Sequence, residues 1–145
     1  MHFVPVKEFL EENDGLAADP LLQESLIMSI DFYKRVGFNP PWICYYASRD
    51  GALVGCAGFK GQPVNGIIEI AYGTFELFRN RGIATEICRK LVETALHADP
   101  GLVVTARTLP ENNFSTKILQ KNQFRFSGEC IDPEDGLLWE WIYAG

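Results

Sequence analysis

One segment of the chain repeats as a helix, and it lies between two segments that read as strands. Ile83, Ile87, Leu91 and Ala95 recur at helical spacing, with Cys88, Val92 and Leu96 beside them, the pattern of an amphipathic helix with one apolar face. Gly82 opens this helix, and the segment His97–Pro100 ends it. Upstream, Ile67–Phe75 reads as a strand, with Ile68, Ile70 and Tyr72 on one face and Glu69, Ala71 and Gly73 on the other. Downstream, Leu102–Leu109 reads as a second strand. Two strands joined through a helix pair in parallel by a right-handed crossover. That step commits the chain to an α/β arrangement with helices packed on a sheet.

The remaining segments add antiparallel pairs to this unit. Trp42–Ser48 and Leu53–Phe59 read as strands joined by the tight turn Arg49-Asp50-Gly51. With Ile67–Phe75 they form a meander. Leu22, Leu26, Ile30 and Tyr33 predict a helix from Leu21 to Val36, stopped by Gly37 and Pro40-Pro41. Phe114–Lys121 reads as a shorter helix. Phe124–Ile131 and Leu137–Tyr143 read as a closing hairpin around Asp132–Gly136. Asn13-Asp14-Gly15 and Asp19-Pro20 are turn signals, and Phe3, Val4 and Val6 fit either a short strand or a lead into a helix. The expected fold is α/β, a mixed and mostly antiparallel sheet of six to seven strands. With no repeat, low-complexity tract or linker, residues 1–145 read as a single domain.

Composition limits the function. Apolar residues make up 47% of the chain, enough to fill a core without metals or disulfides. The formal net charge of -6 argues against bulk binding to nucleic acid or to an anionic membrane. Eight of the thirteen Lys and Arg residues nevertheless fall between Arg79 and Arg125, which suits an anionic ligand on the second half of the chain. Cys44, Cys56, Cys88 and Cys130 form no CxxC pair and no set at metal-ligand spacing with a histidine. They predict a reduced, cytoplasmic protein without a metal, and no apolar run suits a signal peptide or a membrane span.

The most informative segment is Phe78-Arg79-Asn80-Arg81-Gly82-Ile83-Ala84-Thr85, which follows a strand and opens the amphipathic helix. The first turn of a helix has unpaired N–H groups at the positive end of its dipole, a natural seat for phosphate. Gly82 lets a ligand approach the backbone, and Arg79 and Arg81 supply charge-assisted hydrogen bonds. The segment is neither a dinucleotide fingerprint nor a P-loop.

Arg79-x-x-Gly82-x-Ala84 resembles the Q/R-x-x-G-x-G/A motif of the GNAT superfamily of N-acetyltransferases. Glu69-Ile70-Ala71-Tyr72 is similar to the E-I-G-Y strand of its ribosomal-protein N-acetyltransferase branch, and Ala84-Thr85-Glu86 to the A-T-E that opens that branch's helix. Asn112-x-x-Ser115 followed by Leu119-x-Lys121-x-x-Phe124 resembles the branch's N-x-x-S…L-x-K-x-G-F segment, with Gln123 where glycine is usual. The resemblance covers Trp42 to Phe126.

The resemblance implies a V-shaped splay in the sheet, helices on both faces and acetyl-CoA as co-substrate. The pantetheine arm would lie along Thr74–Leu77, opposite Leu102–Leu109. Cofactor contacts would come from Phe75, Glu76, Leu77, Arg79, Arg81, Gly82, Ile83, Ala84, Thr85, Asn112 and Ser115. An amine acceptor, a protein N-terminus or a small molecule, would attack the thioester directly. Glu69 would act as base, with Glu76 as runner-up, and the Leu77 N–H would face the thioester oxygen. Where many members have a tyrosine to protonate the leaving thiolate, this chain has Leu119, which leaves Ser115 or unassisted departure. Two other readings stay open: a non-catalytic acyl-CoA sensor, and a phosphate- or nucleotide-binding module. The acceptor is not legible, and a homodimer is left open.

Overall fold

The crossover forms in the computed structural model, which describes residues 1–145, from β4 (Ile67–Thr74), α3 (Ile83–Ala98) and β5 (Val103–Thr108). Ile83, Ile87, Cys88, Leu91, Val92 and Ala95 are all buried. They pack with Ile68, Ile70, Val104 and Ala106 in the main core. Fully burying one such large apolar side chain stabilises by about 1.5–3 kcal/mol, so this interface fixes α3 on one face of the sheet.

Seven strands form one sheet in the order β1-β2-β3-β4-β5-β7-β6. The others are β1 (His2–Pro5), β2 (Cys44–Arg49), β3 (Ala52–Phe59), β6 (Phe124–Asp132) and β7 (Gly136–Tyr143). Only β4 and β5 run parallel; every other neighbouring pair is antiparallel. The meander, the crossover and the closing hairpin therefore form as their residues predict.

Further helices cover both faces. α4 (Phe114–Lys121) lies with α3, and Leu119 enters the same core. On the other face α2 (Gln23–Val36) buries Leu26, Ile30 and Tyr33, and a second core forms from Leu26, Tyr33, Val6, Ile43 and Tyr46. The Tyr33 hydroxyl donates to Val6 O at 2.7 Å and accepts from Cys44 N–H at 2.9 Å, so this buried phenol is fully partnered.

The largest departure from expectation is at the N-terminus. His2–Pro5 pairs antiparallel with β2 as an edge strand, which settles the ambiguity at Phe3 and Val4. The turn signal at Asn13-Asp14-Gly15 instead begins a single helical turn, α1 (Asp14–Ala17). Asn13 is buried; its side chain accepts from Lys7 N–H at 2.9 Å and donates to Lys7 O and Phe9 O. The asparagine thus closes the preceding loop, and the chain after it is free to coil. Another difference bears on the site. The third strand ends at Thr74, not Phe75, because Glu76–Phe78 winds into a short 3-10 turn.

Candidate active site

The parallel ladder between β4 and β5 is short. It runs from Ile67 opposite Val103 to Ile70 opposite Ala106 and stops. β4 continues to Thr74, while Arg107 and Thr108 of β5 pair only with Glu140 and Trp139 of β7. The sheet therefore forks, and Ala71–Thr74 has no partner on its β5 side. Which groups face the gap follows from alternation. Lys60 N–H donates to Glu69 O at 2.9 Å and Phe75 N–H to Val54 O at 2.9 Å, and the β3–β4 register between them is unbroken. Odd-numbered residues of β4 thus bond to β3, and Tyr72 and Thr74 present their N–H and C=O groups to the gap. An open edge of this kind pairs with an extended ligand that carries amides.

The loop after β4 leads to the start of α3. Gly82 is its N-cap at φ 74°, in the left-handed region, and supplies no capping side chain. The first helical bond runs from Glu86 N–H to Gly82 O at 3.2 Å, so the N–H groups of Ile83, Ala84 and Thr85 lack a helical acceptor. A Cβ at Gly82 would meet no atom of the chain within 4 Å; the glycine answers to backbone conformation, not to crowding by the chain. The Ile83 side chain is core, leaving only its N–H for a ligand. Arg79 and Arg81 are exposed, the latter with its guanidinium 5.8 Å from the centre of the Phe78 ring. Glu86, the acidic residue of this turn, is ion-paired with Arg49 of β2, which offsets its repulsion of an anion.

A cleft of about 480 Å³ opens at the fork. Ser115 and Leu119 line it from α4 on the α3 side, while Glu69, Lys60, Arg107 and Asp132 line it from the opposite face. The cleft therefore passes through the sheet, with an apolar side and a charged side. A larger groove of about 610 Å³ lies beside the second half of α3, against Pro41 and Tyr143, but it has neither a free strand edge nor a helix start.

On the charged side, Glu69 lies 3.5 Å from Arg107 Nε and 3.9 Å from Lys60 Nζ. Its pKa is nevertheless raised above the ordinary value, because burial outweighs the two cations; Glu140 and Asp132 raise it further. Asp132 is held below its usual value, chiefly by the N–H groups of Asp135 and Glu134, which donate to its carboxylate at 3.0 and 2.8 Å.

The fork thus brings Glu69 and Ser115 to one cleft and places Gly82–Thr85 beyond the same end of β4. Other anticipated residues lie elsewhere. Phe75 turns away, with its N–H bonded to β3 and its ring 6.3 Å from that of Tyr46. Leu77 is 82% exposed, in a turn bonded from Phe78 N–H to Phe75 O and from Arg79 N–H to Glu76 O. Glu76 and Asn112 are exposed and do not line the cleft. The helix cap before α4 is Asn113, which accepts from Thr116 N–H at 3.2 Å. Ser115 is exposed, and its hydroxyl is free. Leu119 is 1% exposed and offers no proton. Gln123 stands at φ 66°, a conformation glycine adopts without strain, which accounts for the glycine usual at this place. Sequence reasoning missed Arg107 as a site residue; its one signal was that it is the lone charge in its strand.

Residues 11–125 match the acetyltransferase (GNAT) domain family. The chain is 34% identical over 134 residues to the uncharacterized N-acetyltransferase YjdG of Bacillus subtilis (strain 168), covering 91% of this chain and 73% of the relative. Among solved structures it is similar to the aminoglycoside acetyltransferase AAC(6')-Ib in complex with coenzyme A, at TM-score 0.61 and 21% identity. That match covers 70% of this chain and 65% of the other, so the chain spans just under two thirds of that enzyme. It is also similar to RimL, a ribosomal L7/L12 alpha-N-protein acetyltransferase in complex with coenzyme A, at TM-score 0.63 and 16% identity, covering 83% and 69%. At these identities the likeness to solved structures is one of fold. No helix is long and apolar enough to cross a membrane.

Proposed function

The chain belongs to the GNAT acetyltransferase family, and from that premise we propose that it moves an acetyl group from acetyl-CoA to a primary amine at the fork between β4 and β5. One observation carries the proposal: a free strand edge with an unpaired helix N-terminus beyond its end. The residues fit the co-substrate. The N–H groups of Ile83, Ala84 and Thr85, flanked by Arg79 and Arg81, suit a pyrophosphate. Tyr72 and Thr74 suit the amides of a pantetheine arm. Acetyl-CoA, when bound, supplies a thioester carbonyl as electrophile.

The acceptor enters from the charged side. Its amine must be neutral to attack, yet side-chain and α-amines have pKa values of about 10.4 and about 8, so a base helps. Glu69 is that base, directly or through a water. Its raised pKa brings its proton affinity closer to that of the amine. An N–H of the free edge, at Tyr72 or Thr74, stabilises the carbonyl oxygen as charge develops; these groups face the gap, in place of the Leu77 N–H anticipated from sequence. Glu69, Asp132, Asp135 and Glu140 outnumber Lys60 and Arg107 around the charged side of the cleft, which favours a cationic acceptor. Both a protein N-terminus and a small-molecule amine meet that requirement.

The test is release of the coenzyme A thiol during incubation with acetyl-CoA and a panel of peptides, polyamines and aminoglycosides. Amine-dependent release supports transfer. Binding of acetyl-CoA without release to any amine leaves the sensor reading in its place. With an acceptor in hand, Glu69→Gln is expected to lower kcat/KM by roughly 10²-fold. Only the ionised carboxylate accepts a proton, so wild-type activity falls as pH drops through the raised Glu69 pKa, and the variant lacks that limb. The stability sign is opposite. Burial favours neutral Glu69, so its contribution is fullest below the ordinary glutamate pKa and is lost as pH rises through the raised value. An unchanged pH–rate profile removes Glu69 as base.

Ser115 lines the cleft from α4 with a free hydroxyl. A thiol pKa of about 8.5 makes the thiolate a fair leaving group unaided. Ser115→Ala is therefore expected to weaken acetyl-CoA binding by about 1 kcal/mol, one hydrogen bond's worth, and to leave kcat within about twofold. A kcat loss of roughly 10²-fold at unchanged affinity makes Ser115 the general acid.

A further inference from the structure

Arg107 occupies the first position of β5 beyond its last rung with β4. Its side chain lies on the face away from α3. There Nε stands 3.5 Å from Glu69 Oε1 and 3.8 Å from Glu140 Oε2, and Nη1 stands 3.6 Å from Asp132 Oδ2. One guanidinium thus faces three carboxylates from β4, β7 and β6. Each contact exceeds ordinary hydrogen-bond length, and all four side chains are one fifth to one third exposed, so they add little to stability. Their significance is positional. Where the backbone ladder between β4 and β5 ends, the Glu69–Arg107 contact continues the link across the fork. Arg107 has two other carboxylates to hold it when Glu69 is drawn elsewhere.

We infer that Arg107 is a positioning residue, which holds the Glu69 carboxylate charged at the fork and releases it to the incoming acceptor ammonium while resting on Glu140 and Asp132. The inference builds on the reading of Glu69 as base. The groups around Glu69 are Lys60, which follows β3, Arg107 from β5, Glu140 from β7 and Asp132 from β6, with Asp135 at the cleft wall. Without Arg107, Lys60 is the one cation left facing Glu69, against several anions.

The test is a carboxyl ¹³C NMR titration of Glu69, assigned by loss of its signal in Glu69→Gln, in the unliganded protein. Arg107→Met is expected to move the Glu69 midpoint up by about one pH unit, and Arg107→Lys to restore most of the displacement. Glu140→Gln keeps the guanidinium and removes a rival anion, so it is expected to move the midpoint down; it also serves if Arg107→Met does not fold. Acetyl-CoA affinity measured by calorimetry is expected to stay within about twofold in Arg107→Met, because the guanidinium lies on the face opposite α3. Once an acceptor is known, the acid limb of kcat/KM moves with the NMR midpoint. A Glu69 midpoint that is the same in wild type, Arg107→Lys and Arg107→Met overturns the inference. Failure of the wild type to bind acetyl-CoA overturns the acetyltransferase reading instead, and the titration tells the two apart.

Discussion

A Gly82→Glu variant is expected to lose roughly a hundredfold or more in acetyl-CoA affinity, about 2.7 kcal/mol, while remaining folded. Two effects combine. Gly82 holds φ 74°, and a side chain in that left-handed conformation costs about 1–2 kcal/mol, a loss in Tm of several degrees for a chain this size. The larger effect is electrostatic. The new carboxylate sits beside the N–H groups of Ile83, Ala84 and Thr85, competes for them and repels a pyrophosphate. Gly82→Asn separates the two, since asparagine tolerates the left-handed region and carries no charge; it is expected to bind more tightly than Gly82→Glu. Calorimetric titration of both variants with acetyl-CoA checks this. Wild-type affinity in Gly82→Glu would mean that the start of α3 is not where the anion sits.

Gly55→Ala is expected to be among the most destabilising single-methyl additions to the sheet. Gly55 lies on β3 opposite Thr74. A Cβ there would stand 2.3 Å from Gly73 O, 3.1 Å from Ile87 Cδ1 and 3.2 Å from Thr74 Cα. The first and third neighbours are backbone, so relief requires β4 to move at its free end, while Ile87 is locked in the core. Overpacking of this kind costs about 1–3 kcal/mol, which corresponds to roughly 2–12 °C in Tm. Gly73→Ala is the control, because a Cβ there meets nothing within 4 Å; its Tm is expected to stay near wild type. Equal melting of the two alanine variants would contradict the close approach of β3 to the paired edge of β4 at Gly73.

Much of this arrangement is legible in the sequence. The two periodicities around Gly82 specify a strand–helix–strand step, and the side chains they predict to be buried, Ile68, Ile70, Ile87 and Leu91, are buried. Strong local patterns with one consistent reading are the ones that survive folding. The fork was harder to place. Its position depends on where the β4–β5 ladder stops, a pairing between residues distant in sequence, and no local signal distinguishes Thr74 from Phe75. The turn at Glu76–Phe78 shifted the gap-facing groups to Tyr72 and Thr74. Asn13 misled for a related reason: its composition marks a turn, but its tertiary role is to tie the Lys7–Asn13 loop together. Arg107 escaped because an arginine in a strand reads as a solvated charge until parallel register sets it beside Glu69 and the hairpin adds Asp132 and Glu140.

Thermal unfolding of the wild-type chain with and without acetyl-CoA tests the central claim most directly. At about 100 times its Kd, a ligand that binds only the folded state adds about 2.7 kcal/mol, several degrees of Tm for a protein this size. The account predicts that shift with acetyl-CoA. No shift at millimolar acetyl-CoA in a folded protein contradicts it, and leaves the fork and the start of α3 as a site for some other phosphate-bearing ligand.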